Sequence, residues 1–304
     1  MRDQSQVFQL LGETTGSIFP LARDVMGPLF EEYFSEQRFY QPVFIAYQLS
    51  PKTLTETLYR KRAPYNNPQA ICENLADAAK AGYLEGEKSG GYRISAKGKN
   101  AIESVHKKFY DHINGVNQMS ADKLRALADL LRKLVESAGR AEFSSGVFNL
   151  ELVQGGHPEV ERGTLAEVDQ LLDDLNAFRD DAHIAAWIPT GVSGHVWEVL
   201  TFIWNGEAKS AAELVEQLPY RSFLEDEFLE ALDTLAQLGW IIEKGSGYQA
   251  APEGRRLRQE VEEITNQNYF GPWQVLSAEE LDQLGQLLAE LKTTNHKIAE
   301  QVEQ

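Results

Sequence analysis

The most constraining feature of this chain is an internal repeat at an offset of about 157 residues. Segment 53–56 (TLTE) recurs as 210–213 (SAAE), and segment 81–84 (AGYL) recurs as 238–241 (LGWI). The same offset, give or take one residue, relates three further pairs: Gly91-Tyr92 with Gly247-Tyr248, Gly98 with Gly254, and Ser120-Ala121-Asp122 with Ser277-Ala278-Glu279. Two copies of one unit predict two similar modules that pack as a pseudo-dimer within one chain.

The length of 304 residues divides naturally between these two copies. We predict a first repeat over 1–140, a linker rich in turn residues over 141–163, and a second repeat over 164–304. The single cysteine, Cys72, excludes an intrachain disulfide and fits a reducing cytosol, and we expect its thiol to be buried. No signal-like start and no long apolar run is present, so we expect a cytoplasmic protein without membrane contact.

Each copy reads as the same succession of elements. The apolar spacing and the turn residues predict a long helix, a short apolar helix, a helix opened by a capping box, and a fourth helix ended by a glycine. In the first copy these helices lie at 17–35, 39–49, from Thr53, and at 67–81. In the second copy they lie at 164–185, 195–205, from Ser210, and at 223–238.

The fourth helix is followed in both copies by two β-prone runs around a glycine-rich loop, which predicts a hairpin. Two more helices follow, and the last begins at Ser120 or at Ser277. The polar segment after Thr293 is expected to fray. The predicted fold class is therefore mainly α, with two short β-hairpins in two similar domains.

Three helices and a two-stranded wing, framed by longer helices, resemble the MarR-like winged helix-turn-helix proteins. The segments that carry this resemblance are the capping box at Thr53, 79–84 (AKAGYL), the wing tip 89–91 (SGG) and 92–98 (YRISAKG). The region 180–291 also resembles a bacterial group of tandem helix-turn-helix proteins called SalK-like, through segments that include 185–187 (AAW), 197–200 (WEVL) and 252–258 (PEGRRLR). The resemblance implies two tandem winged helix-turn-helix domains and a regulator of transcription, and it carries no catalytic residue.

Charge favours DNA contact by the first copy only. The net charge of −17 argues against a general affinity for nucleic acid. Yet 52–108 contains eleven basic and six acidic residues, whereas the matching stretch 207–266 contains six basic and thirteen acidic residues. The first copy therefore offers a surface that could face phosphate, and the second offers one that would repel it.

The resemblance also indicates which residues of the first copy would contact double-stranded DNA. Its fourth helix would enter the major groove, and its wing would touch the backbone or the minor groove. Amides that can read bases there are Asn66, Asn67, Gln69 and Asn74. Candidate phosphate contacts are Arg60, Lys61, Arg62, Lys88 and Arg93. The alternative is a solvated surface on a fold kept only for its shape, and Glu73 and Asp77 on the same helix favour it.

A ligand site is predicted from the aromatic residues of the second copy. MarR-like proteins often bind small aromatic effectors near their dimer helices, so the resemblance implies a pocket between the modules. Its expected lining is Trp187, Trp197, Trp204, Trp240 and Trp273. The alternative interpretation is that these tryptophans fill the hydrophobic core.

The sequence contains no coherent catalytic set, so we expect no enzyme, no cofactor and no metal site. Paired acids such as Asp173-Asp174 and Asp180-Asp181 are interpreted as solvated helix faces. We expect a cytosolic DNA-binding regulator, monomeric or homodimeric, that responds to a small aromatic ligand. The alternative is a winged-helix module that no longer binds DNA and binds a small molecule or a protein instead.

Overall fold

The computed structural model describes residues 3–88, 90–143 and 145–302 of the chain, and its elements are mainly helical. Ser89 of the expected wing tip and Ser144 of the expected linker lie outside the described residues. The elements of the first half are α1 (Gln4–Ile18), α2 (Arg23–Tyr33), α3 (Tyr40–Leu49), α4 (Glu56–Arg62), α5 (Pro68–Lys80), β1 (Leu84–Gly86), β2 (Tyr92–Ile94), α6 (Ala96–Val116) and α7 (Ala121–Ala138).

The second half has the same order of helices and strands. Its elements are α8 (Phe148–Gly155), α9 (Leu165–Trp187), α10 (Gly194–Asn205), α11 (Ala211–Gln217), α12 (Glu225–Gln237), β3 (Ile241–Lys244), β4 (Gly247–Ala250), α13 (Pro252–Phe270) and α14 (Ala278–Val302). Each strand pair forms an antiparallel hairpin, with Leu84 opposite Ile94 in the first and Ile241 opposite Ala250 in the second. The prediction of a mainly α fold with two hairpins is confirmed.

Two helices of the first copy differ from the prediction, one by a break and one by its first residue. The helix expected over 17–35 is broken by a 3-10 turn around Pro20, because proline has no N–H to donate and its ring clashes with the preceding turn. The capping residue of α4 is Thr55, which accepts a hydrogen bond from the Leu58 amide at 3.2 Å. Thr53 cannot cap the helix, because Leu54 pairs with Tyr92 of the wing and holds this segment extended.

Two segments that we expected to be irregular are helical. The linker 141–163 contains α8, whose first turn is capped by Asp181: its carboxylate accepts from the amides of Asn149 and Leu150 at 2.9 and 3.0 Å. The segment after Thr293 continues α14 to residue 302. It is held there by Asn295, which is fully buried and donates to the Ser17 hydroxyl at 3.0 Å.

The helix α9 lies at the centre of the molecule. It contacts α1, α6, α7, α8 and α13, and most of its side chains are buried. One large hydrophobic core joins the first copy, most of α9, the end of α13, and α14. A smaller core lies within the second copy around Trp197 and Phe228. The helices α1 and α14, at the two ends of the chain, pack against each other, and the Thr14 hydroxyl bonds the Leu288 carbonyl at 3.1 Å.

Close packing explains the glycines that the two copies share. Gly82 and Gly239 end α5 and α12 with φ of +81° and +73°, which confirms the predicted left-handed cap. Gly98 and Gly254 lie in the first turns of α6 and α13, where the chain entering the wing passes. A Cβ on Gly254 would lie 2.1 Å from the Trp240 carbonyl oxygen, and one on Gly98 would lie 2.3 Å from that of Tyr83.

We expect the change Gly254→Ala to lower the free energy of unfolding by about 1–3 kcal/mol, because the backbone of the wing must move away from the new methyl group. The matched control is Gly115→Ala in α6, where a Cβ would meet no atom within 4 Å. Because alanine favours the helix, this control should be neutral or stabilising by up to about 1 kcal/mol. Urea unfolding followed by circular dichroism measures both, and equal effects of the two changes would refute the close-packing argument.

Candidate functional site

The helices α4 and α5 occupy the positions of the helix-turn-helix predicted for the first copy. Ile71, Leu75 and Ala78 anchor α5 in the core, so its opposite face is accessible. Cys72 lies on that outward face and is exposed, so the expectation of a buried thiol is wrong. The helical period decides this, since Cys72 follows the inward Ile71 by one residue and therefore points about 100° away from it.

The amino-terminal end of α5 is docked against the second copy. Asn67 caps α5, and its side-chain amide donates to the Glu227 carboxylate at 3.0 Å. Its backbone N–H donates to the Arg221 carbonyl at 3.0 Å, and the Asn66 side chain accepts from the Arg221 guanidinium at 2.7 Å. Two of the predicted base-reading amides, Asn66 and Asn67, are therefore engaged with the start of α12 and the turn before it.

The remaining two amides lie further along α5. Gln69 is exposed and donates to Glu73 at 2.9 Å, one turn along the same helix. Asn74 accepts from Arg38 at 3.2 Å. The exposed surface of α5 thus offers Gln69 for an external partner, beside the carboxylate of Glu73.

The three basic residues at the end of α4 have separate surroundings. Arg60 is exposed and faces Glu56 of its own helix at 3.7 Å. The Lys61 ammonium lies 4.4 Å from the centre of the Phe148 ring. Arg62 turns inward and pairs with Asp180 of α9 at 3.0 Å. Of these three, Arg60 is the side chain most available to phosphate.

The wing of the first copy carries the other two predicted phosphate contacts. Lys88 is exposed in the loop between β1 and β2. Arg93 is half-exposed on β2, where its Nε lies 3.2 Å from Glu87 and 3.4 Å from the Thr53 hydroxyl. Both cations lie on the surface of the module, and the pair with Glu87 is accessible enough for phosphate to compete with it.

The five predicted ligand-contacting tryptophans differ in burial and in the core to which they belong. Trp187, Trp197 and Trp273 are buried, with relative exposures of 4%, 1% and 1%. Trp273 packs in the larger core and Trp197 in the smaller one. Trp204 and Trp240 are half-buried. Their role as ligand contacts stays a prediction, and a cavity of the described structure that is rich in aromatic side chains is lined by other residues.

That cavity has a volume of about 670 Å³ and lies between the first copy and α9. Its aromatic lining comes entirely from the first copy: Phe19, Phe30, Tyr40, Phe44, Tyr65, Phe109 and Tyr110. The opposite side is α9, which contributes Asp169, Asp173, Asn176, Asp180 and His183. These spacings place all five on one face of the helix. We call this space the central cavity, and it is accessible to solvent because Phe19, which lines it, is 53% exposed.

The surrounding protein raises the pKa of two acids on this face of α9. Burial, together with the neighbouring Asp173, raises the pKa of Asp169 well above its usual value. Burial raises the pKa of Asp173 to about 6, opposed by His157 and Arg62. The interpretation of the paired acids as solvated faces is wrong for Asp174 and Asp181, which are 4% and 3% exposed.

Burial favours the neutral form of two histidines that line the central cavity, His106 and His183. Burial lowers the pKa of His106 and of His183 to about 4. The Nδ1 atom of His106 is buried without a hydrogen-bond partner in the structure.

Within residues 3–88, 90–143 and 145–302, no group of three or more His, Cys, Asp or Glu side chains is arranged to hold a metal ion. No helix of the described chain is long and apolar enough to span a membrane.

The sequence could have indicated the acidic face of the central cavity. Asp169, Asp173 and Asp180 recur at helical spacing on a helix whose other faces are apolar, and a helix buried on most sides has few solvated positions for such acids. Its aromatic side could not be recognised in this way, because the rings come from three helices and two turns that meet only in the fold.

One of three comparisons with known proteins found a match. A search of curated proteins and a search of solved structures found no significant match. A family model described as a helix-turn-helix family matches residues 100–299, which extend from α6 to α14 and include α10, α11, α12 and the second hairpin. Since this match covers about two thirds of the 304 residues, the chain belongs to this helix-turn-helix family.

Proposed function

We propose that this protein is a DNA-binding regulator of transcription that acts in the cytosol, and that its function is binding rather than catalysis. The observation that carries the proposal is membership of a helix-turn-helix family over residues 100–299. The two antiparallel hairpins that follow α5 and α12 add the wing of a winged helix-turn-helix module, which supports a MarR-like or SalK-like relationship.

We propose that DNA is contacted by the first module. Two observations support this proposal. Basic residues outnumber acidic residues in 52–108, and Arg60, Lys88 and Arg93 are exposed on the outer surface. The second module presents Glu225, Asp226 and Glu230 along α12, and these carboxylates would repel a phosphate backbone.

We further propose that the two modules form a pseudo-dimer within the chain. The contacts of α1 with α14, of α7 with α14 and of α7 with α9 resemble the shared helical interface that such a dimer needs. Ion pairs of Lys133 with Glu280 and of Lys123 with Glu290 join α7 to α14. A crystal structure in which 40–136 did not superpose on 197–293 about an approximate two-fold axis would reject this arrangement.

A ligand in the central cavity could act on DNA binding through two arginines. Arg62, at the end of α4, lines the cavity and pairs with Asp180. Arg221 lines it as well, and holds Asn66 and Asn67 at the start of α5. Both ends of the helix-turn-helix connection therefore contact the cavity wall, and this supports a regulator that responds to a small molecule.

One observation favours a second function. Because Asn67 is 6% exposed and bonded to Glu227, the end of α5 that usually enters the major groove is covered by the second module. This geometry is that of a winged-helix protein that binds a small molecule or a protein partner without binding DNA. The two functions are separated by a salt-dependent titration of the full chain with mixed genomic DNA fragments.

We expect Lys88→Ala and Arg93→Ala to weaken DNA binding on all sequences, because phosphate contacts carry no sequence information. Each lost contact should lower the slope of log affinity against log salt by about one unit. Lys244→Ala in the wing of the second copy is the matched control and should leave the affinity unchanged. Equal losses from both wings would contradict the assignment to the first module, and absence of DNA binding by the unaltered chain would favour the second function.

A further inference from the structure

The central cavity brings an aromatic wall and an acidic wall face to face. On the aromatic side, the rings of Tyr40 and Phe44 are stacked at 5.5 Å, and the ring of Phe30 meets Tyr40 edge-on at 4.9 Å. On the other side, Asp169 and Asp173 lie one turn apart on α9. Ring faces and carboxylates both attract positive charge, so the two walls share one preference.

The cations of the cavity wall are already neutralised by the protein. Arg62 pairs with Asp180 at 3.0 Å, and Arg221 makes a two-pronged pair with Glu198 at 2.8 and 3.0 Å. In contrast, no salt bridge reaches Asp169 or Asp173 from any described residue. Asp169 is only 9% exposed, and its carboxylate has the Tyr110 hydroxyl as a hydrogen-bond partner.

We propose that the central cavity binds an organic cation with an aromatic or apolar body, its charged nitrogen at Asp169 and Asp173 and its body against Tyr40, Phe44 and Tyr110. The volume of about 670 Å³ is within the range of small-molecule sites. Because burial favours the protonated form of the Asp169 carboxyl, a bound ammonium would stabilise its ionised form and supply the charge that the protein does not. The regulatory meaning of the site rests on the proposed function, whereas binding itself does not.

Protons and the ligand compete for the same carboxylates. The charged and titratable groups that face Asp173 are Arg62, Tyr40, Tyr110, His157, Asp169 and Asp174. Because burial raises the pKa of Asp173 to about 6, its carboxyl is largely protonated at pH 5 and ionised at pH 7.5. Affinity for a cation that keeps its charge should therefore rise as pH increases through this interval.

The test is calorimetric titration of the full chain, without DNA, with three compounds that share one ring system. These are 2-naphthylmethylamine, which is cationic, 2-naphthylmethanol, which is neutral, and 2-naphthoate, which is anionic. At pH 7.5 we expect the amine to bind at least about ten-fold more tightly than the alcohol, and the naphthoate to bind most weakly. The preference for the amine should shrink at pH 5.

Asp169→Asn and Asp173→Asn should each reduce the affinity for the amine about ten-fold while leaving that for the alcohol unchanged. Asp173→Asn should also flatten the dependence on pH. The control is Asp233→Asn, an exposed acid of α12 that does not line the cavity, which should change neither. Thermal unfolding of each variant verifies that the fold is retained.

Three results would overturn the proposal: no binding of the amine, equal affinity for amine and naphthoate, or an unchanged amine preference in both cavity variants. Tight binding of the alcohol alone would assign the cavity to neutral aromatic compounds instead. Because no DNA is present, each of these results is independent of the DNA titration. Conversely, a chain that fails to bind DNA but binds the amine would keep this proposal and reject the proposed regulator.

Discussion

Trp197→Ala is expected to lower the free energy of unfolding by about 3–5 kcal/mol, the usual cost of removing a buried tryptophan. Trp197 is 1% exposed, and its ring stacks on that of Trp187 with 6.3 Å between centroids. Its indole N–H donates to His183 at 3.4 Å, and the Arg258 guanidinium lies 5.3 Å from its ring centre. Alanine would remove all of these contacts from the smaller core and leave a cavity there.

The matched control is Trp204→Ala, two turns along the same helix. Trp204 is half-buried and also lies under Arg258, at 5.1 Å. Less apolar surface is lost at this position, so we expect a cost of about 1–2 kcal/mol. Urea unfolding monitored by circular dichroism compares the two. A loss below about 1 kcal/mol at Trp197 would mean that its ring does not support the core of the second module.

Arg221→Met is expected to lower the free energy of unfolding by about 3 kcal/mol, because it leaves the Glu198 carboxylate without its cation. The side chains of Glu198 and Arg221 are 12% and 22% exposed, so water cannot replace the lost pair efficiently. The change also removes the bond to Asn66 that holds the start of α5. The two modules should therefore separate more easily in this variant.

The decrease in the free energy of unfolding caused by Arg221→Met should depend on pH. Burial raises the pKa of Glu198, and Arg221 opposes this rise. Without Arg221, the pKa of Glu198 in the folded protein rises further above its value in the unfolded chain. The protonated carboxyl then contributes stability below the unfolded pKa, and this contribution is lost as pH rises through the folded pKa. The destabilisation should thus be smaller near pH 5 than near pH 7.5. Unfolding at both values of pH measures this difference.

Two variants complete the experiment on Arg221. Arg256 also pairs with two carboxylates, those of Glu253 and Glu260, but it is 60% exposed. Arg256→Met should therefore cost no more than about 0.5 kcal/mol. Combining Arg221→Met with Glu198→Gln should recover part of the loss, since no buried charge then remains. Equal costs at Arg221 and Arg256 would contradict the role of burial.

Local features of the sequence predicted several helices and both hairpins. Segments 39–49 and 195–205 are α3 and α10 within one residue, and the glycines at 82 and 239 end α5 and α12 as predicted. These features depend on neighbours only a few residues away, so helical periodicity, caps and turn chemistry are sufficient to find them. The capping box at Ser277 is confirmed for the same reason, because its two hydrogen bonds join Ser277 and Glu280.

The sequence by itself thus determined a mainly helical chain, two hairpins and membership of a helix-turn-helix family. Only the tertiary structure decided that the start of α5 is covered by Arg221 and Glu227, which lie about 155 residues away along the chain. It also decided that aromatic rings of the first copy enclose a cavity against the acids of α9. Contacts at such separation depend on how whole helices pack, and neither periodicity nor charge balance carries that information.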